Sequence, residues 1–228
     1  MKILIVSATL FEVKLLVEKE ELSEIIPNRL SHFNRGQLQV DLLTTGIGMV
    51  PAAFHLGKQI QETPYDFALN VGICGAYNHE VPLGSVLHVV EEQLPEAGVD
   101  ENGIVRSLFE LGLMSDDEYP FQHGKLVNEG VAGLKAIDRL KRVIGNTVNT
   151  MLTDQVSIDK LTSLFPADVE SMEGAAFLFG CLAERIPCAQ IRAVSNYVGE
   201  RDKKRWEIRK AINNLDSKLT EILEEMKE

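Results

Sequence analysis

The chain has 228 residues, 45% hydrophobic and 25% charged, with a formal net charge of -11 at pH 7 and a pI near 5.0. That length suits one large α/β domain with a full core, and nothing in the composition divides it, so a single domain over residues 1–228 is expected. The acidic balance argues against a nucleic-acid surface, which needs clustered Lys and Arg, and no apolar run approaches the length of a transmembrane helix.

At the N-terminus, "KILIVSA" predicts a strand, and its apolar run stops at Glu12 without a cleavage site of the kind a signal peptide carries. An amphipathic helix is expected over about residues 11–21. "QVDLLTT" is the next strand, leading through "GIG" into a helix that has Pro51 near its first turn, where a missing N–H costs little. "YDFALNVG" and "GSVLHVVEE" read as further strands. Residues 94–130 carry turn residues and acids and read as an insertion or loop region. "TVNTMLT" is expected to be a strand. "VESMEGAAFLFGCL" reads as the start of a buried helix with almost no polar face, and "CAQIRAVS" as a strand. A long helix begins near Asp202 with Ile208, Ile212, Leu215, Leu219, Ile222 and Met226 on one stripe.

Such alternation predicts an α/β fold, a three-layer α/β/α sandwich around a central mixed, mostly parallel sheet. Ligands in that architecture bind at the carboxyl ends of strands, so the segments 7–12, 45–49, 70–76, 153–157 and 195–198 are where a site is expected. Cys74, Cys181 and Cys188 are odd in number and lack C-x-x-C spacing, which fits free thiols in a reducing cytoplasm. The five histidines form no metal-ligand pattern, so no metal is expected. No cofactor is expected either, because "GIGMVP" departs from the dinucleotide fingerprint at Pro51 and follows the second strand. The basic cluster "RDKKRWEIRK" is interrupted by acids and reads as a solvated face.

Two charges stand out against apolar neighbours. Glu173 would cost several kcal/mol by order of magnitude if buried without a partner. Arg192, inside a strand between Ile191 and Ala193, needs an acid, and Glu12 or Glu173 could be it.

In order along the chain, "FEV" with Glu12, "TTGIG", "NVGICGA", "VESMEGAA" and "IRAVSN" resemble the purine nucleoside phosphorylase and nucleosidase superfamily over about residues 1–225. The resemblance implies a nucleoside as substrate, Met172 and Glu173 at the ribose, and Gly72, Ile73, Val156 and Ser195 among the binding residues. Val156 stands where an aromatic that stacks on the purine is expected, and Ser171 where nucleosidases have another glutamate. Phosphorylases hold phosphate with arginines where this chain has "SATLFEV" and Asn70, so water is the implied nucleophile. Glu12 occupies the place of the acid that activates it, with Arg192 orienting or balancing that carboxylate. Asn196 departs from the adenine-specific nucleosidases, which carry aspartic acid there. An amide can donate to O6 and accept from N7–H of a 6-oxopurine, which points to hypoxanthine. That combination looks like the futalosine hydrolases, which release hypoxanthine from futalosine in a menaquinone pathway. The implied catalytic set is Glu12, Glu173 and Asn196, in a homodimer or higher homo-oligomer. A methylthioadenosine/S-adenosylhomocysteine nucleosidase is the closest alternative, ahead of a phosphorylase or a non-catalytic nucleoside sensor. For the substrate's 5′ substituent the expected contacts are His, Lys or Arg from residues 94–130 or from a partner subunit.

Overall fold

A computed structural model describes residues 1–20, 22, 30–101, 104–128 and 133–227. The elements in chain order are β1 (Lys2–Ser7), α1 (Lys14–Lys19), β2 (Leu30–Arg35), β3 (Leu38–Thr44), α2 (Met49–Glu62), β4 (Phe67–Ala76) and β5 (Val86–Gln93). There follow β6 (Gly98–Glu101), β7 (Ile104–Ser107), β8 (Phe121–Gln122), β9 (Lys125–Val127), α3 (Lys135–Asp138) and β10 (Lys141–Thr147). The chain then runs through α4 (Gln155–Leu164), β11 (Val169–Ser171), α5 (Gly174–Ala183) and β12 (Cys188–Tyr197) to α6 (Ile208–Lys227).

Strand periodicity creates the layers. In β1, Ile3 and Ile5 point to one side and join Leu215, Leu219, Ile222 and Leu223 of α6. Leu4 and Val6 point to the other and join Leu56 of α2 with Phe177, Leu178 and Cys181 of α5. The stripe expected on the last helix is the one α6 buries, although Asp202 lies before a 3₁₀ turn (Lys203–Arg205) and the α-helix starts six residues later, at Ile208.

The sheet is mixed. Pairings of β1 with β3 and β4, of β4 with β12, and of β10 with β5 and β11 are parallel, whereas β2–β3, β4–β11, β5–β12 and β5–β9 are antiparallel. The antiparallel share exceeds what alternation alone predicts. Because β4 pairs with β12, β12 with β5, β5 with β10, β10 with β11 and β11 again with β4, five strands close on one another in a barrel-like ring.

Three expectations need correction. The strand near residue 147 ends at Thr147 rather than spanning 147–153, and Val148 onward is coil. Val169–Ser171 is a strand, with the helix starting only at Gly174, because these residues continue the ring beside Gly75 and Ala76. Part of 94–130 is sheet: β8 and β9 form a hairpin that β9 attaches to β5. The expected helix end at residue 21 lies outside the described residues, and α1 begins at Lys14, after a turn that contains Glu12.

Candidate active site

A cavity of about 360 Å³ opens at the carboxyl ends of the strands. Four of the five expected segments contribute to its wall: Ala8, Thr9, Phe11 and Glu12 after β1, Ile47 before α2, Ile73 to Gly75 on β4, and Ser195 and Asn196 on β12. The fifth, residues 153–157, does not; Val148 and Met151 line the wall in its stead.

Glu12 is 8% exposed, and each of its oxygens accepts from at least one donor. Its Oε2 accepts from Thr9 N (2.9 Å), Thr9 Oγ1 (3.0 Å) and Ser7 Oγ (3.2 Å), and its Oε1 accepts from Ile73 N (3.0 Å). These four contacts hold both carboxylate oxygens in place. Gly72, just before Ile73, makes this approach possible. A Cβ there would overlap Arg192 Nη1 and lie 2.6 Å from Glu12 Oε1.

Glu173 precedes α5 and is 7% exposed. Its Oε1 accepts from Gly48 N at 2.8 Å, which gives the "GIG" turn its purpose. Gly46 (φ 91°) and Gly48 (φ 99°) adopt left-handed backbone that turns this N–H toward the carboxylate. Burial pushes the Glu173 carboxyl up, while the Arg192 guanidinium and the Gly48 N–H pull it down. Met172 and Ser171 line the cavity beside it, and Ser171 Oγ accepts from Gly174 N (3.3 Å), one of the free donors at the start of α5.

On β12, Ser195 Oγ donates to Asn196 Oδ1 (2.8 Å) and Asn196 Nδ2 donates to Tyr197 O (3.0 Å), which fixes the amide orientation. Glu170, on β11, also lines this end of the cavity, and its Oε2 accepts from Tyr77 Oη at 2.9 Å. Burial raises its carboxyl to about 7, partly offset by the Tyr77 hydrogen bond.

The structure brings Glu12, Ile73, Met172, Glu173, Ser195 and Asn196 to one wall and corrects the placement of three others. Val156 is on α4 and 79% exposed, outside the cavity lining. Gly72 and Arg192 lie behind the wall. Arg192 is 1% exposed, its Nη2 donates to Asn70 Oδ1, and it makes no ion pair with Glu12 or Glu173 among the described residues. It acts on Glu173 through its field alone. A further buried acid behind α5, Glu92, accepts from Gln190 Nε2 (2.5 Å) and Thr147 Oγ1 (2.8 Å), and burial raises it to about 7.

Glu170, Val148, Met151, Trp206 and Ile208 are wall residues that the sequence reading does not single out. Glu170 and Ser171 both line the cavity and all of "VES" is buried, so no alternation in the sequence singles Glu170 out. None of the described residues among 94–130 lines the cavity.

The family model described as the phosphorylase superfamily matches residues 2–228. A futalosine hydrolase of Thermus thermophilus is 33% identical over 80% of this chain and 80% of its own. A 5′-methylthioadenosine/S-adenosylhomocysteine nucleosidase of Colwellia psychrerythraea is 28% identical over 88% of this chain and 85% of its own. Its crystal structure in complex with adenine superposes with a TM-score of 0.75 at 22% identity, covering 99% of this chain and 95% of that one. A futalosine hydrolase mutant of Helicobacter pylori superposes with a TM-score of 0.81 at 17% identity, covering 99% of both chains. This chain belongs to the phosphorylase superfamily, and its relatives place it among the N-glycosyl hydrolases there.

Proposed function

We propose that the protein hydrolyses the N-ribosyl bond of futalosine, releasing hypoxanthine. The observation that carries this reading is Asn196, an amide facing the same cavity as the carboxylates Glu12 and Glu173. The Thermus thermophilus relative supports it.

Cleavage of an N-ribosyl bond develops positive charge on the sugar. Glu173, anchored through Oε1 by Gly48 N, accepts hydrogen bonds from ribose hydroxyls, and its charge stabilises the sugar cation as that forms. Met172 packs against the sugar. Glu12 takes the proton of the attacking water. Ser7 Oγ lies 3.2 Å from both Glu12 Oε2 and Thr9 O, so it can turn to Thr9 and free the carboxylate for that water. Asn196 donates to O6 and accepts from N7–H, a pairing that a 6-amino group reverses. A site built around a buried hydrogen-bonding group rejects the wrong partner because groups on both sides are left unpaired.

Purified protein offered futalosine and methylthioadenosine side by side, with the released base identified by chromatography, tests this reading. Hypoxanthine is the expected product, and Asn196→Asp moves the preference toward the 6-aminopurine. Adenine release without hypoxanthine release by the unaltered protein would overturn the assignment and favour the methylthioadenosine nucleosidase.

The setting belongs to the same proposal. Cys74, Cys181 and Cys188 are all free and buried, which supports the cytoplasm. Near the cavity mouth Phe11, Ile47, Val50 and Phe54 are 58%, 63%, 80% and 66% exposed. So much apolar surface on and beside the start of α2 supports burial against a second copy, in a homodimer or higher homo-oligomer. Sedimentation velocity is expected to give a multiple of the 25.3 kDa chain, and a single-chain mass at micromolar concentration would contradict it.

A further inference from the structure

Hydrolysis as proposed leaves one proton without a source. The purine departs with the electron pair of the N9–C1′ bond, and as an anion it is a poor leaving group. Glu12 accepts a proton, and the amide of Asn196 has no acidic proton to give.

A row of three residues across three strands bears on this. Gly75 of β4 pairs with Glu170 of β11 on one edge and with Asn196 of β12 on the other. Residues directly opposite in a sheet project to the same side, and the middle one here has no side chain. A Cβ at Gly75 would lie 3.4 Å from Asn196 Nδ2 and 3.5 Å from Glu170 Cγ. Val198 Cγ2 would be nearer still, at 3.1 Å, so Glu170 and Asn196 flank Gly75 rather than an open gap, and both line the cavity.

We propose that Glu170 is the general acid of this site, passing its carboxyl proton to N7 of the leaving purine while Asn196 reads the same edge of the base. The assignment rests on the hydrolytic reading above. As the N9–C1′ bond breaks, its electron pair goes to the base and the Glu170 proton adds to N7, so the purine leaves neutral. Water oxygen bonds to C1′ and gives its proton to Glu12. Exchange with solvent then returns a proton to Glu170 and removes one from Glu12, so the net reaction consumes the nucleoside and one water.

The surroundings of Glu170 suit the role. Burial is the larger influence and raises its carboxyl to about 7, Glu96 adds repulsion, and the Tyr77 hydroxyl pulls in the opposite direction. The Cys74 thiol on β4 is held neutral by its own burial, and Asn196 carries no charge. A carboxyl poised this way is protonated in an appreciable fraction of molecules at neutral pH and ionises above it, which ends proton donation.

The test compares Glu170→Gln with the unaltered enzyme on futalosine and on 4-nitrophenyl β-ribofuranoside, whose phenolate leaves without a proton. The expected result is a fall in kcat on futalosine of about 10²–10⁴-fold, with a far smaller loss on the nitrophenyl riboside. The decline of kcat above neutral pH should vanish in Glu170→Gln. In Tyr77→Phe, which removes a hydrogen bond to the carboxylate, that decline should move to higher pH. Equal losses on both substrates, or an alkaline limb unchanged in both variants, would overturn the assignment. Lack of base release from futalosine by the unaltered enzyme would overturn the hydrolytic reading beneath it, whereas normal release by both it and Glu170→Gln would overturn the acid assignment alone.

Discussion

Gly72 lies beside Glu12 and Arg192 and outside the cavity lining. A Cβ there would overlap Arg192 Nη1 and lie 2.6 Å from Glu12 Oε1, so Gly72→Ala must displace one of them. Misplacing a catalytic group by about 1 Å costs about 10²-fold in rate. We therefore expect Gly72→Ala to lose on the order of 10²-fold in kcat while its circular dichroism remains that of the folded protein. Full activity would show that Glu12 has more freedom than four hydrogen bonds imply. At this scale the sequence discloses residues that need a partner. Glu173 is conspicuous beside "GAAFLFGCL", and its partner is the Gly48 N–H. Arg192 is equally conspicuous, but an unsatisfied charge names no partner. Glu12 and Glu173 were both reasonable, yet Asn70 receives the hydrogen bond, because β4 and β12 run parallel and place Asn70 and Arg192 on neighbouring strands.

Helices and strands are legible where their period is long enough to register. The β-branched run of β1 and the stripe on α6 need only the sequence, since each repeats its pattern several times. Short elements fail that test. In β11 all three residues are buried, so no alternation remains and the apolar run that follows draws the whole stretch into a helix. Val156 fails for the opposite reason. It belongs to α4, where Asp154 accepts from Ser157 N and caps the helix, turning the expected strand-end segment 153–157 into a helix start with Val156 facing water. Glu92 is not distinguishable within the strand run "GSVLHVVEE", although it matters to α5. Thr147 Oγ1 accepts from Ala175 N and donates to Glu92, so the first turn of α5 is held through a buried acid on β5. Gly174 is necessarily a glycine because a Cβ there would overlap the Glu92 carboxylate.

For the molecule as a whole, alternation of elements predicts layers and a cavity at the strand ends, and both are present. It does not predict that β11 closes β4, β12, β5 and β10 into a ring, because that closure depends on pairings between residues far apart in sequence. The closure brings Glu170 and Asn196 to either side of Gly75, while the turn before α2 brings Gly48 to Glu173, so the two ends of the cavity are set by separate long-range contacts. The central claim, that water guided by Glu12 displaces a 6-oxopurine from the sugar, has a direct measurement. Futalosine is incubated with the protein in ¹⁸O-labelled water, free of phosphate, and both products are examined by mass spectrometry. The account predicts release of hypoxanthine and one ¹⁸O at C1′ of the remaining sugar. A strict requirement for phosphate with a sugar phosphate as product, or no cleavage of futalosine at all, would contradict it.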